Sequence, residues 1–452
     1  MNRRAAIAAA VCALIAAGML LGGSLLFFVA MALGLVVATS YLMSASWHDS
    51  AVVVRWLGGS SDRSSLPPLK IGSRVPVRLS VTNRSRIPMA WLLVEDQPPR
   101  FTTDGDDVMA PPIEIEGPRV SVMMLRGGQT KTIDYTVHCR RRGYIRLGPT
   151  MMETGDLLGL FRRYRIVESL AHLTVLPAVR TLDGYDIGSR RPIGEIRLRE
   201  RSMEDPTRLR GIRDWRVGDP MRSIHWAATA RTGKLHTKIY EPSSIIGATL
   251  ILDMHVESNP PSGEPMRGDL AITAAASVAY HLQQSGEPFG LCTNARDAAD
   301  RLRREDRARR SRTFGRRGEA SRASSQIEDN DRLRPVVIAP DRTPNHLGSM
   351  LTMLARLERS DGLSLPELLI ETESQLSAET TMLIILQQAD ENSLSAIIGY
   401  KRRGRAVEVI LNTADEESFA RLAGPLIAAR IDVHPLRNLD DISALCQSTL
   451  VR

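Results

Sequence analysis

From Ala5 to Met43 the chain carries no charge, and Gly22-Gly23 divides this run into "AAIAAAVCALIAAGMLL" and "SLLFFVAMALGLVVATSYLM". One helix of that length would span roughly 58 Å at 1.5 Å per residue, about twice a bilayer's hydrocarbon core, whereas two helices of about 17 and 20 residues each fit. The pattern therefore predicts a transmembrane helical hairpin over residues 1–47, with the Gly-Gly-Ser turn at the far interface because backbone amides in lipid must be paired within their own segment. Arg3 and Arg4 precede the run, Arg55 follows it, and no basic residue lies in the turn. Lysine and arginine bias then puts both ends in the cytoplasm, as in a two-helix, multi-pass protein of the cell membrane with cytoplasmic soluble domains. "MNRR" before an apolar run also fits the outline of a signal peptide; the second apolar segment close behind it favours the hairpin.

Residues 48–182 change to period two. "VPVRLSVTN", "MAWLLVED", "KTIDYTVHC" and "YIRLGPTMME" alternate apolar and polar positions, separated by turn clusters such as "NRSRIP" and "RGGQT". Short alternating strands of this kind predict a β-rich, sandwich-like domain with one face of each sheet buried. From residue 247 to 452 continuous apolar runs ("ATLILDMHV", "PFGLCTN", "TMLIILQQA", "AVEVILNTA") alternate with amphipathic helical stretches. That alternation predicts an α/β domain on a doubly wound parallel sheet. Near 300–333, "DRLRREDRARRSRTFGRRGEASRASSQIEDNDRLR" has almost no large apolar residue, and is expected to be a flexible basic insertion, solvated or resting on anionic lipid headgroups.

Between these regions, residues 183–246 form a charged connecting segment with isolated apolar anchors at Leu209, Ile212, Trp215, Ile224 and Trp226. Gly218-Asp219-Pro220 is a strong turn signal, and Asp219 is expected to accept backbone N–H bonds or to pair with Arg213, Arg216 or Arg222. Arginine forks on carboxylates are directional, so Arg213, Trp215, Gly218, Asp219, Pro220, Arg222, His225, Trp226 and Arg231 read as a structural clamp or docking surface. Catalysis by His225 would need a nucleophile and a group fixing its tautomer, and the sequence supplies only Asp219. Arg231, Lys234 and Lys238 read first as a solvated basic face, with a phosphate or an acidic partner as the alternative.

At 452 residues the chain exceeds one ordinary domain. Its net charge of +8 is concentrated locally, so no specific nucleic-acid binding is expected. Cys12, Cys139, Cys292 and Cys446 lie far apart without metal-ligand spacing and read as reduced, mostly buried thiols. There is no Walker motif, no Gly-rich dinucleotide fingerprint and no long internal repeat.

"LRGIRDWRVGDPMRSIHWAATARTGKLHTKIYE" and "RRGYIRLGPTMMETGDLLGLF" resemble the signatures of the bacterial domain-of-unknown-function-58 family, with Trp215 where tyrosine is common and Leu157-Leu158 where Pro-Phe is usual. The resemblance implies a membrane-anchored, cytoplasm-facing protein-binding scaffold or adaptor, not an enzyme, partnered with a MoxR-type AAA+ ATPase. The C-terminal pattern resembles a von Willebrand A-like (Rossmann-type) domain, whose metal-binding members carry Asp-x-Ser-x-Ser after the first strand. Asp253, His255 and Glu257 stand there without either hydroxyl, and Thr343 would offer one oxygen from another loop. This set suits hard octahedral Mg²⁺ poorly and zinc or manganese better, so the expectation is a degenerate site and no cofactor. Two alternatives remain: a metal-dependent binding module, or a hydrolase using Asp219 and His225.

Overall fold

The computed structural model describes residues 24–58, 66–99, 112–156, 161–167, 169–182, 203–216, 221–243, 247–308, 313–314, 334–376 and 380–445. Contacts divide the chain into two compact units: residues 1–178 with 296–331 and 351–358, and residues 179–295 with 332–350 and 359–452.

The first unit begins with helix α1 (Ser24–Ser50), which runs directly into strand β1 (Ala51–Leu57). Strands β2 (Arg74–Asn83), β3 (Met89–Asp96), β4 (Ile113–Glu116), β5 (Val120–Leu125), β6 (Thr130–Cys139), β7 (Gly143–Leu147), β8 (Thr150–Gly155), β9 (Arg162–Val167) and β10 (Ala171–Val175) follow. They form an antiparallel sheet in the order β1-β2-β6-β4 and a second antiparallel sheet in the order β9-β8-β3-β5, which Thr313–Phe314 extends beside β9; β7 and β10 pair separately. Val53, Val77 and Leu79 from one sheet and Leu92, Val94 and Met152 from the other share one buried cluster with Ile145 and Leu173. Period two in the sequence becomes alternate burial along β1 and β2, as a sheet with one covered face requires.

One position in that alternation is not apolar. Arg55 falls on the inward register of β1 and is buried, and so is Asp96 at the end of β3. Its Nη2 donates to Asp96 Oδ1 at 2.5 Å and to Thr150 Oγ1 at 3.2 Å, and Tyr135 Oη donates to Asp96 Oδ2 at 2.5 Å. The four residues come from β1, β3, β8 and β6, so the network joins both sheets. Burial and the neighbouring Asp96 charge hold the Tyr135 phenol far above its ordinary pKa, so it remains a donor. Gly148, in the "LGP" of the second signature stretch, has φ +89, and a Cβ there would lie 2.8 Å from the Arg55 guanidinium. Glycine is needed both for that backbone region and for the close approach.

The N-terminal expectation is corrected. Among the described residues no helix is long and apolar enough to cross a membrane, which overturns the two-pass hairpin and the multi-pass localisation built on it. The expected first span, residues 5–21, lies outside the described residues. In place of the second, α1 continues past residue 47, and its last turns pack against protein: Trp47 is buried in the cluster and the Tyr41 ring meets Phe161 edge-on at 5.6 Å. Hydropathy registers apolar side chains without distinguishing lipid from a protein neighbour.

In the second unit, β11 (Met203–Asp214) and β12 (His236–Ser243) form an antiparallel hairpin with helix α2 (Trp226–Thr232) in its connection. A six-stranded sheet follows. It is made of β13 (Ala248–Leu252), β14 (Phe289–Thr293), β15 (Val336–Asp341), β16 (Thr381–Leu386), β17 (Val407–Leu411) and β18 (Asp432–Pro435), in the order β15-β14-β13-β16-β17-β18. Helix α3 (Met266–Gln284) buries Leu270, Ile272, Ala275 and Val278. The expected C-terminal von Willebrand A-like (Rossmann-type) α/β domain is also corrected. The sheet is mixed, because β15 runs antiparallel to β14, and residues 296–331 and 351–358 group with the β-rich unit. Among the described residues the chain is β-rich with many sheets and shows no clear Rossmann-type domain. Continuous apolar runs report burial of both strand faces; strand direction is not encoded in them. Most of the basic insertion lies outside the described residues. Cys139 and Cys292 are free and buried, and burial pushes the Cys292 thiol up to about 11; Cys12 and Cys446 lie outside the described residues.

Asp96→Ala would leave the Arg55 guanidinium buried without its counter-ion, a change that costs about 3–5 kcal/mol. Urea unfolding of the full chain is expected to show the β-rich unit's transition lowered accordingly, and a transition within experimental error of the parent would refute the assignment.

Candidate functional site

The connection between β11 and β12 holds most of the residues singled out in the sequence. Arg213 pairs with Thr237 and Asp214 with His236 in the hairpin ladder, and Trp215 N–H donates to Leu235 O at 2.8 Å. Met221–Ser223 make one 3-10 turn, after which Ile224 is buried and Ser223 Oγ lies 2.9 Å from Thr237 Oγ1. His225 then starts α2 as its N-cap. Its Nδ1 accepts from Ala228 N–H at 3.1 Å while its own backbone N–H donates to His236 O at 2.8 Å. The helix ends on Gly233 at φ 71, the left-handed position at which a side chain is strained.

This geometry bears on proton transfer. An Nδ1 that accepts a backbone N–H has used its lone pair, which in the neutral ring leaves the proton on Nε2. Neither nitrogen then offers a free base, and His225 acts as a cap. Gly218, Asp219 and Pro220 lie outside the described residues, as does the Arg222 side chain, so the arginine–Asp219 clamp falls there too. Arg213 Nη1 donates to the carbonyl of Asp214 at 3.1 Å. Trp226 is 66% exposed, and Arg231 is exposed in the last turn of α2, where a cation complements the carbonyl end.

A contact that sequence reasoning missed joins Thr232, His236 and Asp214. Thr232 Oγ1 is 2.7 Å from His236 Nε2, and Asp214 Oδ1 lies 3.2 Å from Nδ1 without hydrogen-bond alignment. The order of groups resembles a nucleophile relay, but Asp214 is largely exposed and the Thr232 hydroxyl donates to Ala228 O at 3.1 Å. A relay needs an aligned, shielded carboxylate and a hydroxyl free to give its proton to the ring. Only the hairpin register brings the three together, so no spacing rule would have found them.

The second sequence-predicted site lies at the end of β13. Asp253 is buried; its Oδ1 accepts from Asn294 Nδ2 at 2.8 Å and from His255 N–H at 3.1 Å. His255 Nδ1 accepts from Glu257 N–H at 3.3 Å, and Glu257 points into solvent. Thr343 donates to Asp341 Oδ2 at 2.9 Å. Among the described residues no three His, Cys, Asp or Glu side chains group to hold a metal ion. Asp253 Oδ1 thus orders its own turn and His255 Nδ1 is turned to the backbone.

Residues 211–312 match the family model described as "Protein of unknown function DUF58". The resemblance to the DUF58 family is thereby shown. The matched DUF58 region includes the tip of the hairpin, β13 and the Asp253 turn. No curated protein matches the chain. Among solved structures it is similar to the ASH/PapD-like domain 7 of human CEP192, at 12% identity over 28% of this chain and 87% of that one, with a TM-score of 0.20. It is also similar to native alpha-2-macroglobulin from Escherichia coli, at 17% identity over 29% and 18% of the two chains, with a TM-score of 0.17. A FixG-related protein from Vibrio parahaemolyticus gives 10% identity over 28% and 97%, with a TM-score of 0.16. Scores this low carry no functional inference.

Burial raises the Asp253 pKa. A carboxyl whose folded pKa lies above its unfolded value of about 4 loses stability for the protein as pH rises through the interval between the two. Asp253→Asn keeps the acceptor for Asn294 and His255 but cannot ionise. Its stability relative to the parent is therefore expected to improve from about pH 4 towards neutrality in urea midpoints measured across pH. A relative stability that falls over that range would contradict the burial argument.

Proposed function

We propose that the chain is a protein-binding adaptor that performs no chemistry of its own and whose partner is a MoxR-type AAA+ ATPase. The carrying observation is how the DUF58 hairpin uses its polar groups. His225 is committed as a helix cap and His236 contacts Thr232, whereas Trp226 and Met221 stand exposed. Groups committed to local hydrogen bonds are poorly placed to move protons, and exposed tryptophan is characteristic of binding surfaces. The nature of the partner rests on the family resemblance, whose members are typically encoded beside such ATPases.

The test uses the purified full-length chain and the MoxR-type ATPase encoded in the same genome. Co-capture is expected, with a yield that changes between ATP and ADP. Absence of capture with either nucleotide would overturn the partnership. Hydrolytic turnover by the chain alone, lost in His225→Ala, would overturn the non-catalytic reading.

A further inference from the structure

We infer that the hairpin tip, Trp226 with Met221 and Leu235 flanked by Arg216, Arg231 and Lys234, docks an acidic protein segment that covers Trp226 with an apolar side chain. This rests on the protein-binding reading above and adds the chemistry of the partner. Three observations converge on it. First, Met221 and Trp226 in the connection are 67% and 66% exposed, Leu235 at its end is exposed as well, and so is Ile212 near the end of β11. Trp, Met and Arg are residue types enriched where protein interfaces bury their centres.

Second, α2 has only seven residues and buries none of its side chains. So short a helix is marginal on its own, and here it is held by the His225 cap, the Gly233 terminus and the bond from His236 N–H to Thr229 Oγ1 at 3.1 Å. Its exposed surface is thus presented by local hydrogen bonds without being used in the unit's core.

Third, among the described residues the exposed charges around the apolar side chains are mostly basic. Arg216, Arg231 and Lys234 are exposed, and Asp214, the exposed acid of the same connection, lies beside His236. A basic rim repels basic partners and speeds encounter with acidic ones. Single-stranded nucleic acid also takes tryptophan and cations, but Met221 and Leu235 offer no base-stacking face. An acidic polypeptide uses all six side chains.

The experiment measures affinity of the full-length chain for the same purified ATPase. Trp226→Ala is expected to weaken binding about thirty-fold or more, as for a central aromatic anchor. The double variant Arg231→Glu/Lys234→Glu is expected to weaken it about ten-fold at low salt, the gap closing near about 0.5 M NaCl. Ile370→Ala, at an exposed site elsewhere in this unit, should bind like the parent, and circular dichroism checks the fold of each variant. If the parent binds and the tip variants bind equally well, the inference fails while the partnership stands.

If the parent does not bind the ATPase, the partnership fails, and a synthetic Glu-Leu repeat peptide decides the inference against its Lys-Leu counterpart. Quenching of tryptophan fluorescence by the acidic peptide alone, lost in Trp226→Phe, is the supporting result. Equal response to both peptides, or no response to either, overturns it. So does tighter binding of single-stranded RNA than of the acidic peptide, if Trp226→Phe weakens both.

Discussion

A buried arginine in the first strand ties the two sheets of the β-rich unit together. Arg55 occupies an inward position of β1, and a charge taken from water must be compensated where it lies. Asp96 meets it from the other sheet, Tyr135 and Thr150 donate to that carboxylate, and Gly148 leaves room for the guanidinium, whose Nε and Nη1 find no hydrogen-bond partner among the described residues. Apolar faces can slide over one another at modest cost. A directional ion pair between β1 and β3 allows one register and one separation of the sheets. Gly148 of the Leu-Gly-Pro stretch thus has a physical task in this unit.

The hairpin of the second unit, most of which falls in the region resembling DUF58, works on a different principle. Its order comes from local polar contacts: a ladder from Ile212–Lys238 to Asp214–His236, a capped helix, and a left-handed glycine at its end. Because these contacts suffice to shape the tip, its large apolar side chains need not be spent on folding. Ile224 is the buried exception that fastens the turn to β12. Surfaces built in this way can offer an aromatic anchor at a fixed position, with little ordering cost left to be met on binding. The hydrogen bond that His225 Nδ1 accepts from Ala228 N–H helps to shape the same tip.

Part of the site was legible in the residue order. The isolated apolar positions from Leu209 onward suggested an extended segment, and Met203–Asp214 is a strand, whereas the turn expected at Gly218-Asp219-Pro220 lies outside the described residues. Others were not. His225 as N-cap depends on the helix starting at Trp226, and the approach of Thr232, His236 and Asp214 depends on the hairpin register. Neither follows from spacing, because a one-residue slip in strand pairing would send each side chain to the opposite face.

Residue order alone determined the β-rich character of the early region, the presence of buried strands after residue 247, the likeness to DUF58 and the basic, aromatic nature of the hairpin tip. These follow from periodicity and side-chain chemistry, which act over a few neighbouring residues. Tertiary structure decided what an apolar run packs against, as when α1 ends with Trp47 inside a protein core, and which way β15 runs beside β14. It alone decided how Arg55 finds its counter-ion forty-one positions away. Burial, strand direction and charge pairing are set by distant parts of the chain meeting in space, and local pattern carries no measure of that distance.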